Sequence, residues 1–235
     1  AGSSASSPKD SWQRAAGTRL PAALGPENMF HYTDAPDLKR DDQHKYSLIP
    51  SNENPLGVTE VMVDVGLESD DYFTETDSSR GIAIHAELAN AARGIAPFPF
   101  LDPDLYGWRQ SGLDKLAELL ADGAVILGVE VMAYHPLYRF AGTVDLIVLW
   151  RGYEWILDWK SGKASKVTRF KLAAYDMILG PAKNGKQRKR AAIEVQEDGS
   201  RAKLIEYNTP DHFHDGNRFL SYLNTSRDRK TYGAK

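Results

Sequence analysis

Asp145, Asp158 and Lys160 are the residues of this chain with the types and spacing for chemistry, all inside FAGTVDLIVLWRGYEWILDWKSGK, residues 140–163. The stretch holds two runs rich in Val, Ile, Leu and Trp, broken by Arg151-Gly152, which predicts a β-hairpin. Side chains alternate faces along a strand. Thr143, Asp145, Ile147 and Leu149 therefore share one face of the first strand, and Ile156, Asp158 and Lys160 one face of the second. A two-residue turn sets Trp150 opposite Tyr153 and Asp145 opposite Asp158. A four-residue loop sets Asp145 opposite Lys160, with Asp158 on the diagonal. Either register gathers two carboxylates and an ammonium on one patch of sheet. Like charges facing each other destabilise a sheet by roughly 0.2–1 kcal/mol, and burial drives a carboxylate to take up a proton. Two arrangements relieve this: an Asp–Lys–Asp ion pair on a solvated face, or a hard divalent cation such as Mg²⁺ held by carboxylate oxygens.

Other residues fall where they could join such a site. Glu130 interrupts the apolar strand AVILGVEVMAY between Val129 and Val131. A carboxylate there must be edge-exposed, paired or metal-bound. His85 lies beside the stripe Ile84, Leu88 and Ala91 or Ala92 of a helix opened by Ser78 or Ser79 and closed by Gly94. A lone helical His is more often packed or at the surface than a ligand, although neutral imidazole suits Mn²⁺ and, less well, Mg²⁺. After the hairpin, a helix over 167–179 ends at Gly180-Pro181 and puts Lys171 and Tyr175 on one face. From the residues alone they read as a solvated lysine beside a half-buried tyrosine.

The elements that must position these residues follow in order. Residues 1–50 read as a polar, flexible arm, including AGSSASSPKDS and Met29-Phe30-His31-Tyr32. A short helix over VMVDVGL, an acidic loop over 68–77 and the His85 helix come next. Beyond the proline-rich PFPFLDPDL, Ser111 opens a helix over GLDKLAELLADG, a core element with Leu113, Leu116, Leu119 and Leu120 on one stripe. The loop KNGKQRKR (183–190) precedes a second hairpin, AAIEVQ and AKLIEY. A last helix begins at Thr209 or Asp211, with Phe213, Phe219, Leu220 and Leu223 toward the sheet, and 226–235 form a frayed tail. The structured part, 51–225, is one domain.

At 235 residues, with 42% hydrophobic and 10% aromatic residues, the chain can build a core. No stretch approaches the ~20 apolar residues of a membrane span, and no signal-peptide pattern stands at the N-terminus. Cysteine is absent, which excludes disulfides, thiolate metal sites and cysteine nucleophiles. Residues 1–150 carry 11 Lys and Arg against 22 Asp and Glu, whereas 151–235 carry 18 against 10. The basic half starts at the hairpin, an asymmetry that suggests an anion-binding face with the basic loop as a phosphate contact.

Gly142-Thr143-Val144-Asp145, then after the hairpin Asp158-Trp159-Lys160-Ser161-Gly162-Lys163, resembles the signature of the PD-(D/E)XK nuclease superfamily. The similarity is to its RecB-like branch, with phage recombination exonucleases and CRISPR adaptation nucleases. Arg80-Gly81 followed by His85 resembles that branch's first motif, whose His can complete the metal shell, and the family often has a Glu where Glu130 stands. Its Gln-x-x-x-Tyr is matched at Tyr175 but replaced by Lys171, which alters the hydrogen bonding expected there. Covering about 55–225, the resemblance implies a restriction-endonuclease-like α/β core: a mixed central sheet flanked by helices. It implies a metal-dependent deoxyribonuclease with one or two Mg²⁺ or Mn²⁺ held by Asp145, Asp158, Glu130, His85 and the Trp159 carbonyl. Lys160 would orient or deprotonate water or stabilise the phosphorane, and two carboxylates nearby favour the last role. DNA would meet Arg80, Lys163, Lys166, Arg169, Lys171 and Tyr175.

No row of base-reading side chains remains once the core is assigned, so cleavage without sequence preference is expected, and the resemblance, to a largely exonucleolytic branch, implies an exonuclease acting from DNA ends. The resemblance further implies recombination, repair or phage DNA processing in a bacterial or phage-infected cytoplasm, beside a single-strand annealing or recombination partner. The rival readings are a non-catalytic DNA-binding or assembly module on the same fold, a structure-specific endonuclease, and another carboxylate–metal enzyme.

Overall fold

The longest apolar run, FAGTVDLIVLW, becomes the centre of a sheet because it is buried along nearly its whole length, as strands covered on both faces are. The computed structural model describes residues 32–68, 75–96, 98, 101–207 and 209–233. Its strands are β1 (Leu38–Arg40), β2 (Tyr46–Leu48), β3 (Leu56–Gly57), β4 (Val125–His135), β5 (Phe140–Trp150), β6 (Tyr153–Lys160), β7 (Lys189–Glu194) and β8 (Lys203–Tyr207). Its helices are α1 (Val58–Asp64), α2 (Glu75–Ala92), α3 (Tyr106–Ala121), α4 (Thr168–Leu179) and α5 (His212–Tyr232). Strands β3, β5, β6, β7 and β8 lie side by side in that order, with β4 also paired to β5. The β3–β5 and β6–β7 pairs are parallel and the others antiparallel, so the fold is α/β with a mixed sheet.

Helices α2 and α3 cover one face through Ile84, Leu88, Trp108, Leu116 and Leu119. The other face packs against α1, α4 and α5 through Val61, Met62, Leu172, Ile178, Phe219 and Leu223. Among the described residues no helix is long and apolar enough to cross a membrane.

The hairpin takes the two-residue register, with Trp150 opposite Tyr153 and Leu146 opposite Leu157. Arg151 and Gly152 both have positive φ, +51° and +77°, as a type I′ turn requires. Since β4 runs along the whole of β5 on one side, β3 and β6 must share its other edge. Strand β3 takes Phe140 and Ala141, and the β6 ladder stops at Leu146. The gap between them holds Gly142 to Asp145.

Several expectations change. The polar arm is ordered from Tyr32 onward: β1 and β2 form a small hairpin, Leu38 opposite Leu48, packed on Ala141. Residues 32–35 run along the outer edge of β4, where Tyr32 N–H donates to the Leu127 carbonyl at 2.9 Å and Ala35 N–H to that of Met132 at 2.8 Å. The Asp34 carboxylate accepts from Met132 N–H at 2.8 Å. Residues 1–31, most of the expected arm, lie outside the described residues, as do 69–74 of the acidic loop. Helix α3 starts at Tyr106 rather than Ser111. The expected tail is helical to Tyr232 because α5 is fastened to α1: buried Ser226 donates to Asp64 at 2.5 Å and Lys230 lies 3.1 Å from Asp64. Phe213, expected on the inner stripe, is 81% exposed.

Candidate active site

The gap in the sheet is where the acids meet. Beyond the last β5–β6 pair the two backbones part, and Asp145 Oδ2 accepts the Trp159 N–H at 2.9 Å. One carboxylate thereby replaces a missing ladder bond. From α2, His85 Nδ1 reaches the same Oδ2 at 3.3 Å. Glu130 joins from β4, where its φ of +49° is left-handed for a non-glycine residue; such backbone costs on the order of 1–3 kcal/mol. The strand turns over at that point. Val129 packs with α2 and α3, but Val131, which alternation would put on the same face, packs with α1, α4 and α5. Strand β5 changes face likewise between Val144 and Leu146. One ligand atom each of His85, Glu130 and Asp145 lie within 4.8 Å of one another.

Asp158 takes a different part. It is 3% exposed, and its Oδ2 forms an ion pair with Lys160 Nζ at 2.5 Å. The like-charge contact expected from the register is thus offset by the ammonium beside it. Across the cleft α4 presents Lys171, whose Nζ donates to Glu68 Oε2 at 3.2 Å, and Tyr175. The Tyr175 ring explains the glycine of Gly-Thr-x-Asp, since a Cβ on Gly142 would lie 2.8 Å from Tyr175 Cε1. Thr143 faces the N-terminal hairpin, bonded to Tyr46 Oη at 2.9 Å and Arg40 Nη1 at 3.1 Å. These groups line a cleft of about 920 Å³.

Electrostatics separate the acids. Burial, then the Asp145 charge, raises Glu130 to about 7, against the pull of His85, Arg40 and Arg93. Asp145 is held below the usual carboxylate range: burial pushes it up, but His85, Lys160 and the Trp159 N–H outweigh that. Burial would lower Lys160, yet Asp158 and Asp145 hold its ammonium above the ordinary lysine range. His85 is raised, burial being outweighed by Asp145. Tyr175 is raised well above a free phenol, by burial and then by Asp158 and Asp145. Two carboxyl groups pushed apart in this way are what acid–base or metal chemistry uses. Among the described residues, Glu130 Oε1 is also buried with no hydrogen-bond partner.

The sequence candidates divide into two groups. His85, Glu130, Asp145, Asp158, Lys160, Lys171 and Tyr175 all line the cleft. Trp159 contributes its N–H to Asp145, while its ring is buried in the core. Lys163 and Lys166 are exposed in the segment after β6. Two candidates lie elsewhere. Arg80 stacks on Trp108, 4.8 Å from the ring centroid, outside the cleft lining. Arg169 is taken by Asp211 and Asp215 at 2.9 and 2.8 Å.

The basic loop also lies apart from the acids. Lys189 pairs with Trp155 while Asp158 pairs with Ala192, so the loop adjoins the far end of β6, with Lys189 about 10 Å along the strand from Asp158. Its arginines face inward. Arg188 donates to Glu154, Asp176 and Tyr32, and Arg190 to His212 and Asp215.

Sequence reasoning missed Arg40, Tyr46, Glu68 and Arg93, all at or beside the site. The one legible signal was local: Asp41, a turn former that accepts from the N–H groups of Gln43 and Lys45 at 2.9 and 2.8 Å.

No protein-family model and no curated protein matches the sequence. Among solved structures the chain is similar to LHK-Exo, crystallised in complex with dAMP. The identity is 13% and the TM-score 0.29, over 77% of this chain and 95% of that one. A likeness that slight carries no argument about function.

Proposed function

We propose that the chain is a metal-dependent deoxyribonuclease of the PD-(D/E)XK type, degrading DNA from its ends. The observation that carries this is the buried Glu130 Oε1, without a hydrogen-bond partner among the described residues, beside His85 and Asp145, three ligand atoms within 4.8 Å. A buried polar atom without a partner needs an explanation, and this oxygen–nitrogen set suits Mg²⁺ or Mn²⁺. A cation held by His85, Glu130 and Asp145, with Asp158 and the Trp159 carbonyl in support, would supply an activated water and neutralise charge on the phosphate.

The chain's own groups account for the rest. Lys160 keeps its proton, because its two carboxylate neighbours hold it charged. It therefore donates to the developing phosphorane rather than acting as a base. Asp158 fixes that ammonium in place. Lys171 and Tyr175 approach the strand beside the scissile phosphate from α4, and Lys171 exchanges its Glu68 contact for a phosphate oxygen. End dependence is supported by acids at the bottom of a cleft, where a continuous duplex is hard to seat.

Incubation of end-labelled linear DNA and a covalently closed circle with Mg²⁺ or Mn²⁺ tests this reading. Linear DNA should be degraded to short products without preferred cuts, the circle should survive, and EDTA should stop the reaction. Cleavage persisting in excess EDTA would remove the metal, and discrete fragments from the circle would indicate an endonuclease. DNA binding without cleavage under either metal would leave the non-catalytic module.

A further inference from the structure

The two walls of the cleft differ in chemistry. On one side the β1–β2 hairpin presents Arg40; where α2 ends, Arg93 reaches toward β4. Both are exposed, and each guanidinium is held by one neutral oxygen: Arg40 by Thr143 Oγ1 at 3.1 Å, Arg93 by the Val129 carbonyl at 3.0 Å. Among the described residues neither has a carboxylate ion pair. The other cleft cations do: Lys45 with Glu60 at 2.9 Å, Lys171 with Glu68, Lys160 with Asp158. On the α2 side Ile82 and Phe98 also line the cleft, 56% and 52% exposed. Exposed apolar side chains lining a polar, acid-floored cleft offer a ligand a surface it can cover.

We infer that the cleft takes an unpaired DNA strand, its phosphates on Arg40 and Arg93 and its bases against Phe98 and Ile82. Sites for single strands combine cations that follow the backbone with aromatic rings on which bases stack. An intact duplex presents phosphate and sugar outward and keeps its base faces stacked inside, so it leaves Phe98 and Ile82 uncovered. Depth favours the same occupant. Asp158 and Asp145 are 3% and 9% exposed, so a reacting phosphate must descend between the walls, and the second strand of a duplex would follow it into them. The inference rests on the nuclease reading and narrows its substrate to a frayed, overhanging or single-stranded end.

The test uses a short unpaired oligonucleotide and a blunt duplex of the same sequence. Binding is read by fluorescence anisotropy in EDTA and cleavage with Mg²⁺. The unpaired strand should bind more tightly and be cut faster. Phe98→Ala should weaken its binding roughly 5- to 100-fold, the effect of one lost base–aromatic stack, with the duplex little changed. Phe98→Trp should restore binding. Arg40→Ala should make the slope of log affinity against log salt shallower by about 0.7. Both positions are at the surface, and an unchanged melting temperature verifies folding. A blunt duplex bound as tightly as the oligonucleotide, or a folded Phe98→Ala variant that binds it normally, would overturn the inference while leaving the nuclease intact. Absence of metal-dependent cleavage of both substrates, with binding preference retained, would instead overturn the nuclease reading.

Discussion

Lys160 sits between Asp158, 2.5 Å away, and the charge of Asp145, which together keep it an ammonium. Replacing it with Ala should cut turnover by about two orders of magnitude, the usual loss when a transition-state donor is removed. Wild-type activity should stay level through the mildly alkaline range, where a required neutral lysine would make it climb and an ammonium losing its proton would make it decline. A Lys160→Ala protein as active as the parent in a single-turnover assay would make the Asp-x-Lys arrangement incidental. Glu130 behaves in the opposite sense. Its carboxyl rises from 4.5 to about 7 in the folded protein, so between those values the folded state binds more protons than the unfolded one. Stability then falls as pH rises through that window and stays lower above it. Metal-free Glu130→Gln should match the parent in acid and exceed it above neutrality, by up to about 3 kcal/mol. Urea titrations in EDTA at several pH values measure this; a constant difference would rule out the shift.

At the scale of elements, the site exists because β5 serves two neighbours on one edge and leaves a gap between them. The gap is lined closely. Gly142→Ala drives a methyl group to 2.8 Å from the Tyr175 ring, and overpacking of this kind costs typically 1–3 kcal/mol. The melting temperature should drop and activity with it, since Tyr175 must move; a variant as stable as the parent would show that the ring yields freely. The hairpin was legible because two long apolar runs flank a turn able to take positive φ at Arg151 and Gly152, and the count from that turn fixes Asp145 and Asp158. The face change at Glu130 was not legible, because alternation assumes a regular strand and nothing in Val-Glu-Val marks a residue that turns left-handed. Strands β1 and β2 are three residues each, too short for a period to show. The run KNGKQRKR misled for another reason: its counter-charges Glu154, Asp176 and Asp215 are distant or unremarkable in sequence.

For the whole molecule, those internal charges act as fasteners. Arg190 and Asp215 are both fully buried and 2.8 Å apart, tying β7 to α5. Arg190→Ala strands the carboxylate, and breaking a buried pair costs about 3–5 kcal/mol. Chemical denaturation should show that loss, while the salt slope of DNA binding by the surviving folded fraction should not move. A shallower slope would return Arg190 to phosphate contact.

Residues 32–35 have a consequence for how copies of the chain treat one another. They cover the outer side of β4, an eleven-residue strand whose backbone would otherwise offer open donors and acceptors to any passing chain. Bare edges of that length invite strand-to-strand self-association. A protein shortened to begin at Pro36 should keep its sheet yet grow in apparent mass with concentration on size exclusion, where the longer chain holds a constant size. Equal behaviour of the two would mean that β1 and β2 alone keep neighbours off. On this view four residues outside the sheet proper act as a selvedge, keeping the fabric from being stitched to the next piece.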